Sequence, residues 1–175
     1  MSSTAPNFLQ RLFGRTDPKE AIVPLYTAVV AEGRQPHWYR DGQVPDSLDG
    51  RFDMIVAVLA LVLMRLDEKD ATQEGVWLTE LFVDDMDGQL RQEGIGDVVV
   101  GKHIGRMMSA LGGRLSAYRA ALAGEADLAD ALVRNLYRGE RPAPDALAHV
   151  ESALLSCWAR LGSTSRESLL RGDLI

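Results

Sequence analysis

The residues able to do chemistry fall into a few groups, and each can be weighed by its spacing. Gly96-Asp-Val-Val-Val-Gly-Lys102 carries the letters GxxxxGK of a phosphate-binding loop, whose backbone amides and lysine would cradle the phosphates of a nucleotide. Its context argues against that use. Such a loop follows a strand and is followed by a Ser or Thr that holds magnesium, whereas here a helical pattern comes first and His103 takes the Ser/Thr place. His37, His103 and His149 are far apart in sequence, and none stands in HExxH, ExxH or CxxCH spacing, so neither a metal site nor covalent haem is supported and no cofactor is expected. Asp84, Asp85 and Asp87 could serve as an acid pair or a cation site. Adjacent positions on a helix point to different faces, which makes a solvated acidic face, paired with the basic helix that follows, the simpler expectation.

The remaining cluster is Asp46, Asp49, Arg51 and Asp53, with Arg34 and Lys102 as basic companions. Asp49 is placed to cap a helix, and carboxylates near a helix N-terminus are favoured by its dipole. Asp53 lies one turn inside an otherwise apolar helix, so it must sit at a rim or be paired, with Arg34 or Lys102 as the expected mate. No nucleophile, base and orienting group assemble from these residues, so no catalytic residue is assigned. The polar, aromatic stretch 36–49, with His37, Trp38 and Tyr39, is the best candidate for a binding surface, read as a loop.

These groups must be positioned by helices. Residues 51–66 contain an unbroken apolar run from Met54 to Met64, which predicts a helix buried on every side. At ~1.5 Å per residue that run is about 16 Å long, about half the ~30 Å of a bilayer interior, so it does not span a membrane. Asp17, Pro18 and Glu20 mark the start of a first helix that kinks or restarts at Pro24 and ends near Gly33. Apolar residues recurring every three or four positions predict further helices over 72–92, from Lys102 to Leu122, over 125–138 and from Asp145 to Gly162, with Val98 to Val100 the sole candidate strand. Gly105, Gly112 and Gly113 inside the fourth helix each cost about 1 kcal/mol against alanine, which close helix approach or bending would offset. The expectation is an all-α single-domain bundle of about six helices: a tail at 1–16, a helical domain at 17–162 and a short tail at 163–175.

A net charge of -6 argues against nucleic acid as a partner, and the lone Cys157 points to a reducing compartment, hence the cytoplasm. Phe8, Leu9, Leu12 and Phe13 share a helical face near Arg11 and Arg15. Residues 1–16 read as a tail, as a peripheral membrane contact through residues 8–13 at the inner membrane, or as a mitochondrial presequence.

Several stretches resemble one family. Leu25-Tyr26 with Ala-Glu-Gly-Arg34-Gln-Pro-His-Trp-Tyr39, Val44-Pro-Asp-Ser-Leu-Asp-Gly-Arg-Phe-Asp53, Asp85-Met-Asp87 with Leu90-Arg-Gln-Glu-Gly-Ile-Gly-Asp-Val-Val-Val-Gly-Lys102, and Gly113-Arg-Leu-Ser-Ala-Tyr118 look like the ubiquinol-cytochrome c chaperone family. The resemblance implies a non-enzymatic assembly factor that helps newly made cytochrome b enter ubiquinol-cytochrome c reductase; mitochondrial relatives do so with a small partner subunit. By matching position, Arg34, Tyr39, Asp46, Asp49, Arg51, Asp53, Asp87, Asp97 and Lys102 would form or support a shared surface. Trp38 and Tyr39, with Met107 and Met108, would furnish apolar walls for the client. The residues alone leave two other readings: an adaptor using its acidic third helix, and a small helical enzyme with a carboxylate and arginine cleft.

Overall fold

The structure, a computed structural model, describes residues 17–174 apart from 93 and 95, and of Asp97 and Val98 it describes the backbone alone. The three readings of residues 1–16 therefore lie outside the described residues. Asp17 accepts a hydrogen bond from the Lys19 amide and opens a 3-10 turn, Pro18–Ile22, which restarts at Pro24 as helix α1, Val23–Gly33. The restart follows from chemistry: a proline cannot donate to the turn before it. A short helix α2, Pro36–Arg40, comes next, where a loop was expected; Pro36 suits the first helical turn, which has no use for its missing N–H.

Helix α3, Leu48–Glu68, is the centre of the bundle. Met54, Val56, Ala57, Val58, Leu59, Ala60 and Val62 have no measurable exposure, and α1, α4, α5, α6 and α7 all pack against it. The helix begins before residue 51 because Ser47, not Asp49, is its cap: the Ser47 hydroxyl accepts the Gly50 amide at 3.1 Å. Gly33 lets the end of α1 approach closely, since a β-carbon there would lie 2.8 Å from the Ile55 Cα. Among the described residues no helix is long and apolar enough to cross a membrane.

Helix α4, Thr72–Gln92, spans the expected residues. Helix α5, Asp97–Leu122, begins earlier than expected, and Val98 to Val100 are its first turn rather than a strand, with the Val100 amide bonded to the Gly96 carbonyl at 3.0 Å. The phosphate-loop letters are thus helical backbone. Gly105, Gly112 and Gly113 do not mediate close packing: a β-carbon at any of them would meet nothing within 4 Å. Helix α6, Leu128–Leu136, is shorter than expected because Asp127 caps it, accepting from the Asp130 amide. Helix α7, Pro144–Ser163, starts with a proline in its first turn, and Asp145 lies inside that turn rather than capping it. The stretch expected as a weakly patterned tail contains helix α8, Arg166–Leu170, whose Leu169 is buried, as is Leu174 beyond it. The bundle is all-helical among the described residues.

Candidate partner-binding site at the start of the central helix

The N-terminal end of α3 is built on a tight corner. Gly50 is required there because a β-carbon would fall 1.9 Å from the Pro45 carbonyl oxygen. The corner places Asp46 beside Arg51, whose Nε donates to Asp46 Oδ1 at 2.6 Å; that guanidinium holds the Asp46 carboxyl below the usual carboxylate range. The Arg51 guanidinium also stands 6.0 Å from the centre of the Tyr39 ring. Tyr39 is half-buried, and its hydroxyl donates to the Gly33 carbonyl at 2.6 Å, satisfying an end of α1 that would otherwise lack a partner. Trp38 does the same for Glu32 at 2.8 Å through its indole N–H. It is a core residue, 1% exposed, so it positions α2 and does not offer the apolar wall expected of it.

Asp53 is paired with Arg114 of α5, and not with Arg34 or Lys102. Both side chains are buried, and the Arg114 guanidinium also donates to the Asn135 carbonyl at 3.0 Å, at the C-terminal end of α6. Arg138 completes the group, 3.0 Å from Asp49 and 3.5 Å from Asp53. Burial pushes the Asp53 carboxyl up, against the opposing pull of Arg114 and Arg138. The signal for Arg114 was present in the sequence: it falls between Leu111 and Tyr118 on the buried register of α5, three and four residues from each.

The other expected residues are dispersed. Arg34 is exposed and makes no ion pair among the described residues, as does Lys102, whose carbonyl accepts from Arg106 Nε at 3.4 Å. Asp87 pairs within its own helix with Arg91 at 2.6 Å, and Asp85 accepts the Tyr26 hydroxyl at 2.6 Å, so the acidic face does not pair with α5 as expected. Asp97 opens α5, and its side chain lies outside the described residues. Met107 and Met108 are half-buried and pack against the core.

Sequence reasoning missed the apolar part of this surface. Leu48 is 66% exposed, and Phe52, one turn later on the same face, is half-buried with its ring 5.8 Å from that of Phe82. Leu48 attracts no attention in a sequence because a single leucine in a polar stretch is ordinary. A separate groove of about 390 Å³ lies near the far end of α3, lined in part by Leu63, Val76, Glu80, Leu115 and Arg119. His37 and His149, expected to stand apart, are in contact, with 3.0 Å between Nδ1 and Nε2. Among the described residues no group of three metal-ligating side chains is placed to hold an ion.

Among the described residues the arrangement assembles no catalytic group; it offers the exposed Leu48, with Phe52 one turn on, beside the Asp46–Arg51 and Asp49–Arg138 pairs, a mixture of apolar and charged surface that suits protein recognition. The family profile described as "Ubiquinol-cytochrome C chaperone" matches residues 40–175. Among solved structures the chain is similar to the crystal structure of the Cbp3 homolog from Brucella abortus, with 31% identity and a TM-score of 0.77, covering 95% of this chain and 94% of that one. No curated protein matches the chain. A family match over three quarters of the length, joined to a structural likeness over nearly all of it, leads to one assignment: the chain belongs to the ubiquinol-cytochrome C chaperone family, and is a chaperone and assembly factor for ubiquinol-cytochrome c reductase.

Proposed function

We propose that the protein acts without catalysis, holding a segment of newly made cytochrome b on the surface at the start of α3. The observation that carries this reading is Leu48, a large apolar side chain left 66% exposed at the start of α3, with the Asp46–Arg51 and Asp49–Arg138 ion pairs at the same helix start. A hydrophobic client segment would lie on Leu48, Phe52 and Tyr39, while the paired charges at the rim orient its polar flanks. Arg34, close to Tyr39 and without an ion pair among the described residues, adds a cation to the same rim. The protein works from the cytoplasm, peripherally at the inner membrane where such a client is inserted. The adaptor reading is weaker, because Asp85, Asp87 and Glu80 of the acidic helix are occupied by Tyr26, Arg91 and Lys19.

The test is deletion of the gene in the native host, with assembled ubiquinol-cytochrome c reductase and haem b measured in membranes. Deletion is expected to deplete both, wild type to restore them, and Leu48→Asp or Arg51→Glu to restore them poorly while folding normally by circular dichroism. A photo-crosslinker at position 48 is expected to capture cytochrome b. Full rescue by both variants together with no cytochrome b crosslink would overturn this site.

A further inference from the structure

His37 and His149 are 112 residues apart in the chain, yet His37 Nδ1 lies 3.0 Å from His149 Nε2, with the rings edge to face at 77°. This contact joins α2 to α7. A neutral imidazole has one N–H donor and one lone-pair acceptor, so a hydrogen bond at this distance requires at least one of the two facing nitrogens to be free of a proton. When both rings are protonated, two N–H groups meet head-on and two positive charges face each other. The bond cannot then exist.

Both rings are half-buried, and the His37 ring packs against that of Trp38 with 4.1 Å between centres. Besides His149, the charged groups that reach His37 are Asp41 and Arg40 at the end of α2; they bond to each other at 2.6 Å and lie in solvent. From α7 the facing titratable group is His149 itself. Nearby, α2 and the residues after it are held by Tyr137, whose hydroxyl donates to the Gly42 carbonyl at 2.6 Å, and by a Gln43 bond to the Ala143 amide at 3.3 Å. Neither of these bonds changes with protonation in the acidic range, which leaves the histidine pair as the pH-sensitive member of the attachment.

We propose that the His37–His149 contact is a proton-operated clasp, closed at neutral pH and opened by acid, that controls how firmly α2 is held against α7. Its consequence for client binding rests on the reading of Tyr39, the α2 residue beside Arg51, as part of the client surface; the opening itself does not. Burial and the neighbouring His149 charge hold His37 below its ordinary value. The sign follows: in the open form His37 regains its ordinary value of about 6.5 and takes up a proton more readily, so the clasp is fully present above about pH 6.5 and is lost as pH falls through the lower, closed-state value. For one extra proton taken up on opening, each pH unit below that point multiplies the open-to-closed ratio about tenfold.

The experiment is amide hydrogen exchange by NMR on the full chain, corrected for intrinsic rates, between about pH 7.5 and about pH 5. Protection of the Trp38, Asp41, Gly42 and Val44 amides is expected to fall about tenfold or more, with the amides of α3 unaffected. His149→Gln keeps a donor and an acceptor without a titrating charge and is expected to hold its protection across the range. Unchanged wild-type protection, or an identical loss in His149→Gln, would overturn the clasp. Because glutamine can loosen the contact for steric reasons, ring-nitrogen spectra of the wild type supply a second arm: one hydrogen-bonded ring N–H and a depressed His37 titration are expected, and two independent, ordinary titrations would overturn it. A clasp that opens in a protein whose deletion leaves the respiratory complex intact would refute the client role alone.

Discussion

The Asp53–Arg114 pair permits a quantitative test. Removing one member of a buried ion pair costs about 3–5 kcal/mol because the other is left buried and unpaired, whereas replacing both with apolar groups is often neutral or better. The two members here are not equivalent. In Asp53→Ala the Arg114 guanidinium cannot neutralise itself and keeps one partner, the Asn135 carbonyl, so the full ~3–5 kcal/mol is expected. In Arg114→Met the Asp53 carboxyl still has Arg138 at 3.5 Å and can take up a proton, a direction in which burial already pushes it, so the cost is expected to be smaller, about 2 kcal/mol. Asp53→Ala/Arg114→Met should be less destabilised than the summed costs of its two single variants by at least ~2 kcal/mol. Urea unfolding followed by circular dichroism measures all of these, and an unchanged slope confirms that the same surface is exposed in each. An Asp53→Ala cost below ~1 kcal/mol, or strict additivity in the double variant, would refute the reasoning.

Other expectations follow from single contacts. Trp38→Ala removes a fully buried ring and the donor to Glu32, and should cost about 3–5 kcal/mol, lowering Tm by about 10 °C in calorimetry. Burial raises the Glu32 carboxyl above its ordinary value, so the ionised form opposes folding and the associated stability is present at acid pH and lost as pH rises through the raised value. Glu32→Gln should therefore raise the urea midpoint at neutral pH and leave it nearly unchanged near pH 4. Ser47→Ala removes the cap of α3 and should cost about 1 kcal/mol in the same unfolding assay. The Cys157 thiol is pushed up to about 11 by burial, and alkylation at about pH 8 should be at least ~100-fold slower in the native protein than in urea.

The central helix could be read from sequence because eleven apolar residues in a row have no solvated arrangement, and α4 because Leu78, Phe82 and Met86 recur at helical spacing and are buried. Features set by a neighbour were not legible. Ser47 caps α3 because Gly50 permits the corner against Pro45, and Asp49, an equally good cap by type, is left to pair with Arg138. Arg114 was not singled out because an arginine's type outweighs its register, although that register is the buried one of α5. His37 and His149 lacked any motif because their contact is made by the packing of α2 on α7, which no local spacing encodes. Leu48 owes its prominence to the corner before α3, a property of the backbone rather than of the residue.

Helix α5 carries Gly101, Gly105, Gly112 and Gly113 where nothing touches a missing β-carbon, so packing returns none of the backbone entropy they give up. Relative to alanine these positions sum to about 4 kcal/mol of lost helical propensity, a large part of a domain's net stability. On that account the exposed turns of α5 are expected to fray first among the long helices, and their amides should exchange before those of α3. Alanine at Gly105 and Gly112 would narrow that gap in protection.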